Sequence, residues 1–356
     1  MTTYARPEPQ DNEVGVAVIG AGYWGPNLIR NFLACPTAWL WTVCDLDLKR
    51  ASEVVGRRSS IEVTDQLDQV LADPRIEAVA IATPAATHLP IAMAAIEAGK
   101  HVLVEKPLAL SAADARAIAR AADAAGLVAA CDHTFCYTPA VNRIRTEIAD
   151  GNLGRIQYID SVRINLGIVQ RDIDVFWDLL PHDLSILASV LPPECSPVAV
   201  SALGVDPIGA GRACVGYATL LLPDEAIAHI HVSWLSPVKI RNVVFGGSKR
   251  HLVWNDTNPA QRIATYDRSV DVSLIHDSEE QREMMVQYRT GDMLAPAISE
   301  AEALQALVRD FTGCIRNGGK PLTDSWSGVR VLEILEAVDA SCAAQGTLVP
   351  IPEASR

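Results

Sequence analysis

The sequence predicts an α/β protein. An N-terminal doubly wound parallel sheet is followed by an α+β domain with a large open, mainly antiparallel sheet. Three observations carry this. Residues 14–131 alternate short apolar runs with helical patterns. A glycine-rich turn, Gly20-Ala-Gly22-Tyr23-Trp24-Gly25, follows the first apolar run. Beyond about residue 134 the runs lengthen and alternate apolar with polar residues. A chain of 356 residues suits two domains, at about 150 residues each. The boundary is set at 133/134, giving domains 1–133 and 134–356.

The first strand, Val14–Ile19, is apolar throughout, as a strand buried on both faces requires. Asn27–Leu33 reads as helix, and Trp39–Cys44, Ile61–Val63 and Ala78–Ala82 as the next strands. Leu89–Ala98 is a helix stopped at Gly99. His101–Val104 and Leu127–Cys131 complete the sheet, and Ser111 caps the helix between them. In the second domain, Ala140–Ala149 is a helix. Strands follow at Ile156–Ile164, Val198–Leu203, Ala213–Leu222, Ala226–Trp234, Lys239–Phe245 and His251–Asn255. Helical periodicity returns at Glu300–Arg316 and Val329–Ala344.

Composition narrows the function. Apolar residues at 49% supply a core, which excludes a disordered or collagen-like chain. A net charge of −13 without a basic cluster argues against nucleic acid and anionic membrane as partners. No apolar run reaches a membrane-spanning length, and the polar N-terminus lacks a signal core. The eight cysteines form no C-x-x-C pair and are expected to be free thiols in a reducing cytoplasm. His229 and His231 share a strand face but lack a third ligand, so no metal is expected.

The glycine turn points to a dinucleotide. Glycines there permit a tight turn, close approach of the backbone to a pyrophosphate, and close helix–strand packing. Asp45, twenty residues beyond Gly25, ends the second strand. An acid there accepts from the adenosine ribose hydroxyls and repels a 2′-phosphate, which favours NAD over NADP. Lys49 and Arg50 read as a solvated helix face. Trp24 either walls the cofactor cleft or packs at the domain interface. In such sheets ligands bind outside the carboxyl ends of the strands. Thr83-Pro84, Glu105-Lys106 and His133 fall at those ends.

Asp178 and His182 are four residues apart and share a face if the segment is helical. In one reading Asp178 orients His182, which removes a hydroxyl proton as hydride leaves; in the other they are an N-capping acid and a core histidine. Lys106 is the second candidate for proton transfer or for holding a developing alkoxide.

Gly20-x-Gly22-x-x-Gly25, Thr83-Pro84-x-x-x-His88, Glu105-Lys106-Pro107, Asp178-x-x-x-His182 and Pro321-Leu-Thr-Asp324 together resemble the Gfo/Idh/MocA oxidoreductases. The resemblance implies a Rossmann domain plus a domain with a large open sheet, a nicotinamide cofactor and a sugar-like substrate. It implies Lys106, Asp178 and His182 as the catalytic set and a cis Lys106–Pro107 bond. Gly20, Gly22, Tyr23, Trp24, Gly25, Asp45, Thr83, Pro84, His88, Glu105 and Lys106 are then expected at the cofactor. The chain departs from the usual family pattern at His133-Thr-Phe-Cys-Tyr137 and at Asp178-Leu-Leu-Pro-His182. Both variants are similar to a branch acting on nucleotide-linked sugars or on aminosugars of antibiotic pathways.

The expected substrate contacts are His133, Tyr137, Arg163, Asn165, Trp177, Asp178, His182, Lys239 and Arg241. Arg163 and Asn165 alternate onto one strand face, as do Lys239 and Arg241. The latter pair either holds a diphosphate or is solvated. Asp172 and Asp174 either bind substrate ammonium groups or are surface acids. The expected activity is NAD-dependent oxidation of a secondary ring hydroxyl, at C3, before transamination. The alternatives are a sugar ketoreductase and a redox sensor without turnover. An apolar sheet face carrying Val243 and Phe245 would expose a large patch on a monomer, and the resemblance implies that such faces pair, giving a homotetramer or else a homodimer.

Overall fold

The computed structural model describes residues 10–58, 60–170, 173–276 and 282–353, with side chains outside 271–287. The elements begin β1 (Val14–Ile19), α1 (Gly25–Ala34), β2 (Ala38–Cys44), α2 (Leu48–Val55), β3 (Glu62–Thr64), α3 (Leu67–Ala72), β4 (Ala78–Ile81), α4 (His88–Glu97), β5 (His101–Glu105), α5 (Ala112–Ala125) and β6 (Ala129–Asp132). Next come α6 (Pro139–Ala149), β7 (Ile156–Leu166), α7 (Val175–Val190), β8 (Ala199–Val205), β9 (Val215–Leu221), β10 (Ile227–Ser233), β11 (Leu235–Gly247) and β12 (His251–Asn255). The chain continues through β13 (Ile263–His276), β14 (Arg282–Leu294), α8 (Ala303–Asn317), α9 (Ser325–Ala343) and β15 (Val349–Pro350).

These elements form two compact units. One holds the chain up to Thr138 together with Ala301–Glu333; the other holds Pro139–Glu300 and Ile334–Ser355. The 1–133/134–356 division is corrected accordingly. Leu304, Leu307, Val308 and Phe311 form one face of α8 and are buried in the same core as Val14, Leu28 and Phe32. The periodicity of α8 shows that it must cover something, but not which sheet it covers.

In the first unit the strand order is β3-β2-β1-β4-β5-β6, with every pair parallel. The order reverses at β1/β4, the crevice where ligands bind in such sheets. Asp114 N–H donates to Ser111 Oγ at the N-cap of α5, and Gly126 ends that helix in the left-handed conformation. Pro321–Asp324 returns to β6: Thr323 Oγ1 donates to the Cys131 carbonyl at 2.7 Å, and the Cys131 N–H donates to the Thr323 carbonyl.

The second unit is a mixed nine-stranded sheet in the order β14-β13-β12-β11-β7-β10-β9-β8-β15, with β7–β10 parallel. The β13–β14 hairpin was not foreseen, because charged residues interrupt the apolar pattern over 263–294. α7 lies close on the sheet because Gly204 and Gly216 leave room for the Phe176 ring. A Cβ on Gly216 would meet that ring at 2.3 Å. Val243 and Phe245 are buried, so the exposed apolar face expected there is corrected. Exposed apolar side chains sit instead at Leu203, Val205, Tyr217 and Ile227. Strand pairing puts these four on one face, where Leu203 opposes Tyr217 and Leu221 opposes Ile227.

Candidate active site

In the first unit, one edge of the sheet gathers the residues expected at a dinucleotide. The three turn glycines divide their work. A Cβ on Gly20, whose φ is +97°, would sit 2.7 Å from the Ala82 carbonyl, and one on Gly25 would sit 2.2 Å from the Gly20 oxygen. Gly22 faces open space. The first and third glycines thus permit the turn and the packing, while the second leaves its backbone accessible to a pyrophosphate. Tyr23 is fully out in solvent at 93% exposure.

Asp45 braces this turn. Its carboxylate accepts from the Ala21 N–H at 2.6 Å, the Asp47 N–H at 2.8 Å and Arg50 Nη2 at 2.7 Å. Burial works to raise its pKa, but these hydrogen bonds and the Arg50 charge outweigh burial and hold it below the usual carboxylate range. Arg50 is therefore the ion-pair partner of Asp45 and not merely part of a solvated helix face.

The loops after β4 and β5 are tied together by His88. It is buried, with Nδ1 2.8 Å from the Pro107 carbonyl and Nε2 2.8 Å from the Thr83 carbonyl. His88 is spent on holding these loops, which corrects its expected contact with the cofactor. Thr83 Oγ1 accepts from Thr87 Oγ1 at 2.8 Å, and Pro84 is exposed. Lys106 is half-buried, and its bond to Pro107 is cis.

Strand β6 delivers Asp132 and His133. Asp132 is buried and accepts from the Trp24 indole N–H at 2.7 Å and from the Thr134 hydroxyl. Trp24 is thereby fastened to the end of β6. Sequence reading passed over Asp132, although an acid closing an Ala-Ala-Cys strand was the available signal. His133 is buried with neither ring nitrogen bonded to a protein group. Burial, and then the charge of Lys106, push its pKa down to about 3, so the ring is neutral. Tyr137 lies in the core of this unit and donates to Asp310 Oδ2 at 2.7 Å, which corrects its expected substrate contact.

The second unit carries Asp178 and His182 on α7, which the Asp174 side chain caps by accepting from the Phe176 and Trp177 N–H groups. Asp172 lies outside the described residues. Pro181 inside the helix removes one backbone donor between the two candidates. Four-residue spacing on a helix puts Asp178 and His182 on one face. Trp234 Nε1 donates to Asp178 Oδ2 at 2.9 Å. Asn165 is near the Trp234 indole, since a Cβ on Gly167 would lie 3.0 Å from Asn165 Nδ2 and 3.3 Å from Trp234 Cδ1. Sequence reading did not single out Trp234, because an indole closing an apolar strand looks like core.

The other expected contacts are engaged elsewhere. Arg163 is buried, with Nε 2.6 Å from Asp183 Oδ2, so it locks β7 to α7 and is corrected as a sugar contact. Trp177 turns its N–H to Asp339 at 2.8 Å. Arg241 pairs with Asp256 at 3.4 Å, and Lys239 on the same strand is exposed. His229 and His231 stand beside the Tyr217 ring, with the His231 ring stacked at 4.4 Å.

A glycine turn braced by an acid at the topological switch point of a parallel sheet is the arrangement of a dinucleotide-binding site. Residues 14–133 match the Gfo/Idh/MocA family, described as an oxidoreductase family with an NAD-binding Rossmann fold. That stretch, about a third of the chain, carries the likeness to the family and to its NAD-binding Rossmann fold. A UDP-N-acetylglucosamine 3-dehydrogenase from Acidithiobacillus ferrooxidans is 28% identical over 326 residues, 88% of this chain and 93% of the relative. Its solved structure superposes with a TM-score of 0.77 at 25% identity, over 94% of this chain and 99% of its own. GenD2 from gentamicin A biosynthesis, solved in complex with NAD, is 27% identical with a TM-score of 0.79, over 99% of this chain and 100% of its own. A D-apiose dehydrogenase from Paraburkholderia graminis is 27% identical over 339 residues, 90% of this chain and 85% of the relative. Among the described residues, no helix is long and apolar enough to cross a membrane.

Proposed function

We propose that this enzyme oxidises a secondary ring hydroxyl of a sugar, at C3, with NAD as acceptor. Its substrate is a nucleotide-linked sugar or an aminoglycoside precursor, and the 3-ketone is then transaminated in aminosugar or antibiotic biosynthesis. The observation that carries this reading is the near full-length similarity to a UDP-N-acetylglucosamine 3-dehydrogenase, combined with Asp178 and His182 on one helix. The similarity to GenD2 supports the antibiotic setting.

NAD, when bound, accepts the hydride. The chain's own part is proton management. His182 takes the hydroxyl proton, Lys106 holds the hydroxyl and stabilises the developing alkoxide, and Asp178 orients His182 or a neighbouring hydroxyl. Neutral His133 and the Asn165 amide hold further sugar hydroxyls. The enzyme works in the cytoplasm, where its cysteines, all free, stay reduced. It assembles as a tetramer or dimer through the face carrying Leu203, Val205, Tyr217 and Ile227, because such a patch is poorly tolerated on a monomer.

One experiment tests the substrate. The enzyme is incubated with NAD and a panel of UDP-sugars and aminoglycosides, followed by NADH absorbance and product mass. Loss of two mass units with NADH formation on one of these classes is the expected result. Turnover confined to free inositols or pentoses would overturn the proposal.

A further inference from the structure

The proton relay proposed above leaves one buried acidic cluster unused. Glu105 and Asp132 end adjacent strands and are register partners in the β5–β6 pair. Register partners on adjacent parallel strands point to the same face of the sheet, which sets the two side chains side by side. Ionised carboxylates have only acceptors and repel each other, so two buried neighbouring carboxyls are stabilised by sharing one proton. Asp132 already accepts from the Trp24 indole and the Thr134 hydroxyl, which favours its ionised form. The Glu105 carboxyl is buried, although the residue as a whole is only half-buried, and its Oε2 has no protein partner. The proton therefore belongs on Glu105. Burial, with the nearby Asp132 charge, raises the Glu105 pKa well above the usual range. Lys106, neutral His133 and the Cys131 thiol are the other titratable groups around the pair.

The position of the pair gives it a task. Trp24 is the N-cap of α1, and its carbonyl accepts the Asn27 N–H at 2.9 Å. In the NAD-binding reading proposed above, that helix N-terminus is the one that takes the dinucleotide phosphates. In the sheet, β1 and β6 are separated by β4 and β5. The indole–Asp132 bond therefore straps the phosphate turn across the crevice to the strand ends that carry Lys106.

We propose that Glu105 and Asp132 share one proton, and that their single negative charge is a positioning element coupling the phosphate-binding turn to Lys106 through Trp24. Glu105, Asp132 and Trp24 act in this through other groups. The proposal depends on NAD binding and not on the identity of the sugar, so it stands or falls separately from the substrate reading.

The test uses Glu105→Gln, Glu105→Leu, Asp132→Asn, Trp24→Phe and the Asp132→Asn/Trp24→Phe double variant in the full chain. The first readout needs no cofactor: the infrared difference between wild type and Glu105→Gln at neutral pH. A protonated-carboxyl C=O band present in wild type and lost in the variant is expected. The second readout is NADH affinity by fluorescence titration. Loss of one charge-assisted hydrogen bond should weaken binding about tenfold or more in Asp132→Asn and in Trp24→Phe. The double variant should lose little beyond the worse single one. Glu105→Gln, whose amide donates as the protonated acid does, should bind at least several-fold more tightly than Glu105→Leu. The proposal is overturned if the carboxyl band is absent, if Gln and Leu are equally impaired, or if Trp24→Phe binds NADH as wild type does. Should Asp132→Asn fail to fold, the Trp24 variant and the infrared band still decide.

Discussion

Replacing Asp183 by Leu isolates the device that seats α7 on its sheet. Asp183 accepts from Arg163 Nε at 2.6 Å, Arg163 Nη2 at 3.2 Å and Ser161 Oγ at 2.8 Å. The two charged side chains are only 4% and 2% exposed. The substitution removes the carboxylate and leaves a buried guanidinium without it, which costs about 3–5 kcal/mol. For a domain of this size about 2–4 °C accompany each kcal/mol. The expected fall in melting temperature is therefore roughly 6–20 °C. An apolar pair of similar volume avoids the stranded charge, so Arg163→Met/Asp183→Leu should recover most of the loss. Urea unfolding of wild type, both single variants and the double variant gives the coupling energy directly. NADH binding, which belongs to the other unit, should persist in all four proteins at low urea. If Asp183→Leu costs under about 1 kcal/mol, or if the double variant is less stable than either single one, the pair is not a lock and the reasoning fails.

Three further outcomes follow from the same geometry. Asp45→Ser should lower the preference for NAD over NADP, read as the ratio of kcat/KM values; a wild type that prefers NADP would contradict the assignment. Lys106→Ala and His182→Ala should each lose about 10²–10⁴-fold in kcat, with NAD still bound. The rise of oxidation rate through the range where an imidazole titrates should vanish in His182→Ala; its survival there and loss in Lys106→Ala would swap the two roles. Partial burial, which outweighs the Trp177 N–H bond, pushes the Asp339 pKa up to about 6. An unfolded Asp titrates near 3.9, so the native state binds the extra proton and stability falls as pH rises from about 4 to about 6. Asp339→Asn should be the more stable protein above about pH 6 and lose that advantage below about pH 4, measured as urea midpoints across that range.

The sequence by itself determined the parallel sheet, the glycine turn and the edge on which Asp45, Thr83, Lys106 and His133 fall. Each is a local property. An apolar run of Val14–Ile19 suits a strand buried on both faces, and only particular residues permit the turn at Gly20. Helical spacing likewise puts Asp178 and His182 on one face once that segment is known to be α7. Tertiary structure decided what those local signals left open. Arg163 and Asn165 alternate identically along β7, yet Asp183 claims Arg163, because burying its charge demands a partner from another element. Asp132 and Trp24 are 108 residues apart, so no spacing relates them. α8 is amphipathic wherever it packs, and only the fold showed that it covers β1 and α1. Periodicity tells which face of an element must be buried, whereas the partner for a buried charge or an indole N–H comes from elements distant in the chain, and only the folded structure identifies it.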